Sequence, residues 1–298
     1  MQRQLIDIAF SPCPNDTFLF EGLVHGKVDS LLQVRPHLAD IQELNTWAKE
    51  GKYPVTKVSA YCMGTISSTY EMLPVGAAVS FCGPKLIAAC PFDLQDISQK
   101  VIAVPGLDTT AYLLFSSLFR VCKHIVPCRY DQIIDLILSK NVDAGVIIHE
   151  TRFTFQKYSL VELADLGTIF YEKYQLPVPL GCLAVKKSLP QNIKTELINT
   201  LQQSLQLALS HPEGCIEYVK KHAQESSQEV IQNHINAFVT SDTMMLSEKA
   251  RLAFSLIFEL VQNLKNQSFR DSEQALRPLW QCETYELSNI AEEKAPCL

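Results

Sequence analysis

Between Leu5 and Val185 the chain repeats one arrangement: a short apolar or β-branched run, a turn built on Pro, Gly, Asn or Thr, then a stretch with helical spacing. This leaves few folds open, because strands that alternate with helices build parallel or mixed sheets covered on both faces. Leu5 to Phe10 reads as the first strand, Pro12 and Pro14 force an extended turn, and Asp16 to His25 reads as an amphipathic helix opening beside Asn15 and Asp16. Asp40 to Lys49 puts Ile41, Leu44, Trp47 and Ala48 at helical spacing, and Val55 to Tyr61 returns to strand character. Further strands are expected at Ala77 to Phe81, Leu86 to Ala89, Val101 to Val104 and Ala144 to Ile148, with helices after Thr109-Thr110 and over Tyr130 to Leu138. Leu176 to Leu180 carries two prolines and reads as a break before a last strand at Cys182 to Val185. From Gln191 the signal turns helical, over Ile193 to Ser210, Pro212 to His222, Ser227 to Phe238 and Ser247 to Leu264. A tail without periodicity is expected from about Gln281.

Two strand-and-helix sets, separated near Pro91 to Gln99 and rejoined near Leu176 to Gly181, predict two α/β lobes joined by two crossings. The larger lobe takes residues 1–92 and 178–298, the smaller 93–177. At 298 residues with 47% apolar and 19% charged side chains, the core is ample. The net charge of −6 comes without a basic stripe, which argues against a nucleic-acid partner. Met72 to Phe92 is the one segment a hydropathy window would flag, but prolines and glycines interrupt it. Two buried strands joined at Cys82-Gly83-Pro84 fit better than a membrane helix. The ten cysteines lie scattered in apolar stretches and no secretory signal is legible, so reduced thiols in the cytoplasm are expected.

Ligands of such sheets bind where strands end. Four segments qualify: Ser11 to Asp16, Ser59 to Gly64, Gly106 to Thr110, and His149 to Arg152. His149 ends an apolar strand and is suited to take a proton near neutral pH, or else to cap or fill the core. The other histidines, His234 among them, fall on helices or in polar segments and are poorer candidates. Thr109-Thr110 offers hydroxyls and helix-start donors to an anion, or serves only as an N-cap. Lys57 and Ser59 bring an ammonium and a hydroxyl to a strand edge. Pro12 and Pro14 fix Cys13 and aim Asn15 and Asp16, with Cys13 better suited to a buried turn than to a nucleophile. Cys122, His124 and Cys128 match no zinc spacing, and no phosphate fingerprint, metalloprotease helix or serine elbow is present. No metal is therefore expected.

Ser11-Pro-Cys-Pro-Asn-Asp-Thr-Phe18, Thr56-Lys-Val-Ser59, Val104-Pro-Gly106, Thr109-Thr-Ala-Tyr112, Ala144-Gly-Val-Ile-Ile-His-Glu150 and Arg152-Phe-Thr-Phe155 together resemble the 1,4-dihydroxy-6-naphthoate synthases of the futalosine route to menaquinone. The likeness runs in order from Ile6 to about Phe238 and ends before about Phe269. It implies a fold like the type 2 periplasmic solute-binding proteins, with a cleft between the lobes. It further implies a lyase that splits cyclic dehypoxanthine futalosine into dihydroxynaphthoate and a sugar-derived fragment, with no cofactor. By the same resemblance His149 is the proton acceptor, and Lys57, Val58 and Ser59 with Thr109 and Thr110 line the substrate site. Asn15 and Asp16 of the specific string are expected beside them. Glu150 or another carboxylate is a candidate to orient His149, and Arg152 to pair with the substrate carboxylate or with Asp165. The alternatives are the chorismate dehydratase of the same pathway and a non-catalytic cytoplasmic binding protein on the same fold.

Overall fold

The computed structural model describes residues 3–120, 122–224 and 227–268, so the expected tail from Gln281 lies outside the described residues. Eleven strands are described: β1 Gln4–Phe10, β2 Leu32–Leu38, β3 Val55–Ser59, β4 Tyr70–Met72, β5 Ala78–Ser80, β6 Lys85–Ala88, β7 Val101–Val104, β8 His124–Pro127, β9 Ala144–Ile147, β10 Val161–Asp165 and β11 Val178–Lys186. They form two mixed sheets. The first runs β2-β1-β3-β11-β4 with β5 paired to β11, and the second runs β10-β6-β9-β7-β8. In the first, β1 is parallel to β2 and β3, while β11 returns antiparallel beside β3 with Gly181 opposite Ser59. In the second, β7 is parallel to β8 and β9, and β6 is antiparallel to β9 and β10.

Cys82-Gly83-Pro84 does join two strands, as expected, but those strands belong to different sheets. The first crossing therefore falls at residues 81–84, and β6 belongs to the second sheet rather than to the lobe expected to extend to residue 92. The crossing is tight because its backbone touches another backbone. A Cβ on Gly83 would lie 2.4 Å from the Gly167 Cα and 2.5 Å from its nitrogen. No rotamer can relieve a clash with main chain. Gly83→Ala is expected to destabilise by the upper end of about 1–3 kcal/mol, read as a lower midpoint in urea unfolding at unchanged slope.

The second crossing corrects another expectation. Val178 and Pro179 do not break the pattern; they begin β11, whose register against β5 shifts between Pro179 and Gly181. The irregularity accommodates the proline.

One apolar cluster runs through both sheets and includes Val58, Tyr70, Val79, Leu86, Ile102, Val146 and Cys182. A second fills the space between the first sheet and the helices Pro14–Val24 and Gln191–Ser210, through Ile8, Phe10, Phe20, Leu183, Leu197 and Leu201. The helix Gln228–Phe238 buries Val230, Ile231, His234, Ile235 and Phe238 on one face. It touches β5 and also the short helix Thr151–Thr154 that follows β9, so it spans the junction of the two sheets. Among the described residues no helix is long and apolar enough to cross a membrane. Cys13, Cys62, Cys90, Cys122, Cys128, Cys182 and Cys215 are free, whereas Cys82 is disulfide-bonded, which corrects the expectation of ten reduced thiols at that residue.

Candidate active site

All four of the segments singled out above converge on one cavity of about 90 Å³ between the sheets. The loop after β1 brings Ser11, Asn15 and Asp16, the end of β3 brings Lys57 and Ser59, and the end of β9 brings Ile148 and His149. Thr109 and Thr110 enter at the start of the helix Thr110–Leu118, where Thr109 accepts the first-turn N–H of Tyr112 at 3.2 Å. Ser11, Asp16, Lys57, Ser59, Thr109 and Thr110 are all buried.

His149 is built under backbone tension. Its φ is 58°, in the left-handed region that a non-glycine residue occupies at a cost of about 1–3 kcal/mol. That turn swings the ring off the end of β9 and toward the loop after β1. There Nδ1 lies 3.1 Å from the Cys13 Sγ, while the buried Nε2 has no partner among the described residues. Tyr130 packs edge-on against the ring at 4.7 Å between centroids. Burial, opposed in part by the Asp16 carboxylate and reinforced by the Lys57 ammonium, lowers the His149 pKa to about 4. The ring is neutral at neutral pH, with one nitrogen anchored and the other buried without a partner among the described residues.

The partner at Nδ1 is a thiol, where Glu150 or another carboxylate was the candidate. Burial, with Glu150 and Asp16 nearby, raises the Cys13 pKa well above its ordinary value, so the thiol is protonated. Beside it, the Ser11 hydroxyl donates to Asp16 Oδ2 at 2.6 Å. Asp16 is then held by Asn15 Nδ2 at 2.9 Å and by Lys57 Nζ at 2.7 Å, and Lys57 also donates to the Gly76 carbonyl at 2.8 Å. The Ser-Pro-Cys-Pro-Asn-Asp string thus supplies both the thiol at the His149 ring and the carboxylate of a buried ion pair. Both members of that pair have side chains no more than 5% exposed.

Lys57 and Ser59 face the cavity because they alternate along β3. Val58, between them, points the other way into the core, so its side chain does not line the cavity as the resemblance implies. The Ser59 hydroxyl donates to the Asp108 carbonyl at 2.7 Å, and Asn45 Nδ2 donates to the same oxygen at 2.9 Å. Thr110 donates to the Leu180 carbonyl at 3.0 Å. These hydroxyls fasten the two sheets together as well as lining the cavity.

Arg152 also lines the cavity. It donates to the Gly83 carbonyl and reaches Asp165 at 3.3 Å, so the pairing with Asp165 expected as one of two options is present. His234 was passed over as a helical histidine, yet it lines the cavity, 6.3 Å from the His149 ring between centroids. The signal was legible: residues 230, 231, 234, 235 and 238 make one apolar helical face, and His is the only polar member of it. Gly181 and Leu180 of β11 were missed for a different reason, the supposed break at the prolines. Among the described residues, Cys13, His149 and Glu150 are the group whose ligand atoms lie within 4.8 Å of one another. The thiol there is protonated and already hydrogen-bonded, which fits an anchored imidazole better than a metal ligand set.

A model of the menaquinone biosynthesis family matches residues 6–263. A 1,4-dihydroxy-6-naphthoate synthase of Thermus thermophilus is 39% identical over 256 residues, covering 86% of this chain and 93% of the relative. One of Streptomyces coelicolor is 36% identical over 254 residues, covering 83% and 89%. A crystal structure of an Archaeoglobus fulgidus protein superposes at a TM-score of 0.83 with 30% identity, covering 88% of this chain and 98% of that one. An alkanesulfonate-binding protein of Xanthomonas axonopodis superposes at 0.64 with 11% identity over 91% and 94%, a likeness of fold alone. The architecture is thus the two-lobed α/β fold of periplasmic binding proteins. With the family model spanning both sheets and every strand end that builds the cavity, this chain belongs to the menaquinone biosynthesis family.

Proposed function

We propose that this protein is a 1,4-dihydroxy-6-naphthoate synthase, a carbon–carbon lyase acting on cyclic dehypoxanthine futalosine with His149 as its base. The observation that carries the reading is the His149 ring itself: neutral, turned by a left-handed backbone, anchored at Nδ1, and with a buried Nε2 that has no partner among the described residues, in a residue that lines the cavity. A non-catalytic binding protein has no use for that arrangement. The identity to two named synthases over most of the chain favours this substrate over chorismate.

In the proposed reaction Nε2 takes a proton from a substrate hydroxyl. The oxygen's electron pair becomes a carbonyl as the bond to the sugar-derived part breaks, and the departing carbon takes the bonding pair. The imidazolium returns the proton to that carbon, so the histidine is regenerated without oxidant or cofactor. Aromatisation of the remaining ring drives the step. Donors at the start of the Thr110–Leu118 helix receive the ring carboxylate, where backbone N–H groups favour negative charge. The lobes part at residues 81–84 and 175–178 to admit the substrate and then exclude water. The cytoplasm is the compartment this reading assigns, supported by the seven free thiols among the described residues and opposed by the disulfide-bonded Cys82.

For Nε2 to accept a proton, Nδ1 must carry one and donate it to the Cys13 sulfur. Cys13 is therefore a positioning residue. Cys13→Ala is expected to lower kcat about tenfold at nearly constant KM, as for the loss of one orienting hydrogen bond, and Cys13→Ser should restore much of it. Equal kcat in Ala and wild type would remove the anchor from the mechanism. The function itself is tested by incubating the purified protein with cyclic dehypoxanthine futalosine and following dihydroxynaphthoate by mass spectrometry. Formation absent from a boiled control supports the reading, and an intact substrate overturns it.

A further inference from the structure

His234 stands in an unusual place. Its side chain is 1% exposed, and neither ring nitrogen has a hydrogen-bond partner among the described residues. Phe238 lies 4.7 Å away and Phe153 6.4 Å away between centroids, so an apolar side chain would suit these neighbours better. Leaving a buried polar atom unsatisfied costs about 1–3 kcal/mol. The ring faces the same cavity as His149 and lies nearly parallel to it, at 28°, too far for a bond between them. Something in the cavity has to pair with it.

The chemistry of the missing partner follows from the ring's charge. Burial, with His149 and the Arg152 cation nearby, pushes the His234 pKa well below its ordinary value. A neutral imidazole offers one N–H donor and one acceptor and no charge. It suits a hydroxyl or carbonyl oxygen, which can use both, and it is a poor seat for a carboxylate.

We propose that His234 hydrogen-bonds a ring oxygen of the bound ligand, so that two imidazoles flank the oxygenated end of the substrate, His149 moving the proton and His234 holding the oxygen. This rests on the reading that the cavity takes a dihydroxynaphthoate. The carboxylate end then lies toward Thr109 and Thr110, and the helix Gln228–Phe238, which spans the junction of the sheets, delivers the second imidazole.

The test separates a ring-oxygen contact from simple packing. Calorimetry gives Kd for 1,4-dihydroxy-6-naphthoic acid and for 2-naphthoic acid, which keeps the rings and the carboxylate and lacks both hydroxyls. It is run on the wild type, His234→Phe and His234→Gln. His234→Phe is expected to weaken the dihydroxy ligand about tenfold and 2-naphthoic acid less than about twofold, with His234→Gln recovering part of the loss because its amide still donates. Since the ratio of the two ligands is read within each variant, a general loss of folding cannot imitate the result. Equal losses for both ligands in His234→Phe and His234→Gln, or no loss in either, overturn the inference. A wild type that binds the dihydroxy ligand and shows the expected selectivity, yet leaves cyclic dehypoxanthine futalosine intact, overturns the proposed reaction and supports the contact.

Discussion

Replacing His149 with Asn lowers kcat by about 10²–10⁴-fold, the range for removing a positioned general base, while the Kd for dihydroxynaphthoate stays within a few-fold. Asn is the informative choice because the residue sits at φ 58° and Asn tolerates the left-handed region better than most side chains. The turn survives and only the ring is lost. The pH profile supplies a second readout. With its pKa lowered to about 4, His149 is unprotonated in the folded protein throughout the neutral range. The acid limb of kcat/KM in the wild type should therefore fall near pH 4 and not near the ordinary histidine value of about 6.5. The stability sign follows from the same shift. An unfolded histidine takes its proton as pH drops through about 6.5, whereas the folded ring resists until about 4, so the native state loses stability across that window. His234, lowered in the same direction, adds to the loss. His149→Asn removes one of the two contributions, and its unfolding midpoint should decline less steeply than that of the wild type between pH 6.5 and 4. Unchanged turnover in His149→Asn ends the general-base assignment.

What could be read from the sequence divides along burial. The central strands β1, β3, β7 and β9 announce themselves because both faces are covered, which makes them continuous apolar runs. The four strands that went unread, β2, β4, β8 and β10, are all at sheet edges. Their residues mix polar and apolar types, as in Leu-Gln-Val-Arg-Pro-His-Leu of β2, because half of each edge strand faces water. The lobe boundary failed for a related reason, since assigning β6 to the second sheet needs the pairing partner, which no local pattern carries. At the cavity, residues carried to it by their own strand or helix end were legible: His149, Lys57, Ser59, Thr109 and Thr110. Residues that act through a long-range meeting were not. The Cys13–His149 contact joins positions 136 apart in sequence, and His234 reaches the cavity only because its helix docks across the junction. Val58 was carried along by its neighbours, and strand alternation excludes it.

Lys57→Met is expected to cost about 3–5 kcal/mol, the range for removing one partner of a buried ion pair, and to remove turnover with it. The side chain is nearly enclosed and donates to both Asp16 and the Gly76 carbonyl, so methionine keeps the volume and leaves a carboxylate and a carbonyl without their donor. Asp16→Asn breaks the same pair from the other side. The double variant should lose less than the sum of the two, because no uncompensated charge remains buried. The pair also sets the basicity of His149, and here the two single variants part ways. Asp16 favours the protonated ring and Lys57 opposes it. Asp16→Asn should therefore move the acid limb of kcat/KM below about 4, and Lys57→Met should move it upward from there. If Lys57→Met is too unstable to assay, Lys57→Arg keeps the charge and preserves the limb's position, whereas Asp16→Asn alone still reports the sign. Movement of both limbs in the same direction would mean that the variants act by distorting the Ser11 to Asp16 loop. Opposite movement places the electrostatic control of the base in the buried Asp16–Lys57 ion pair.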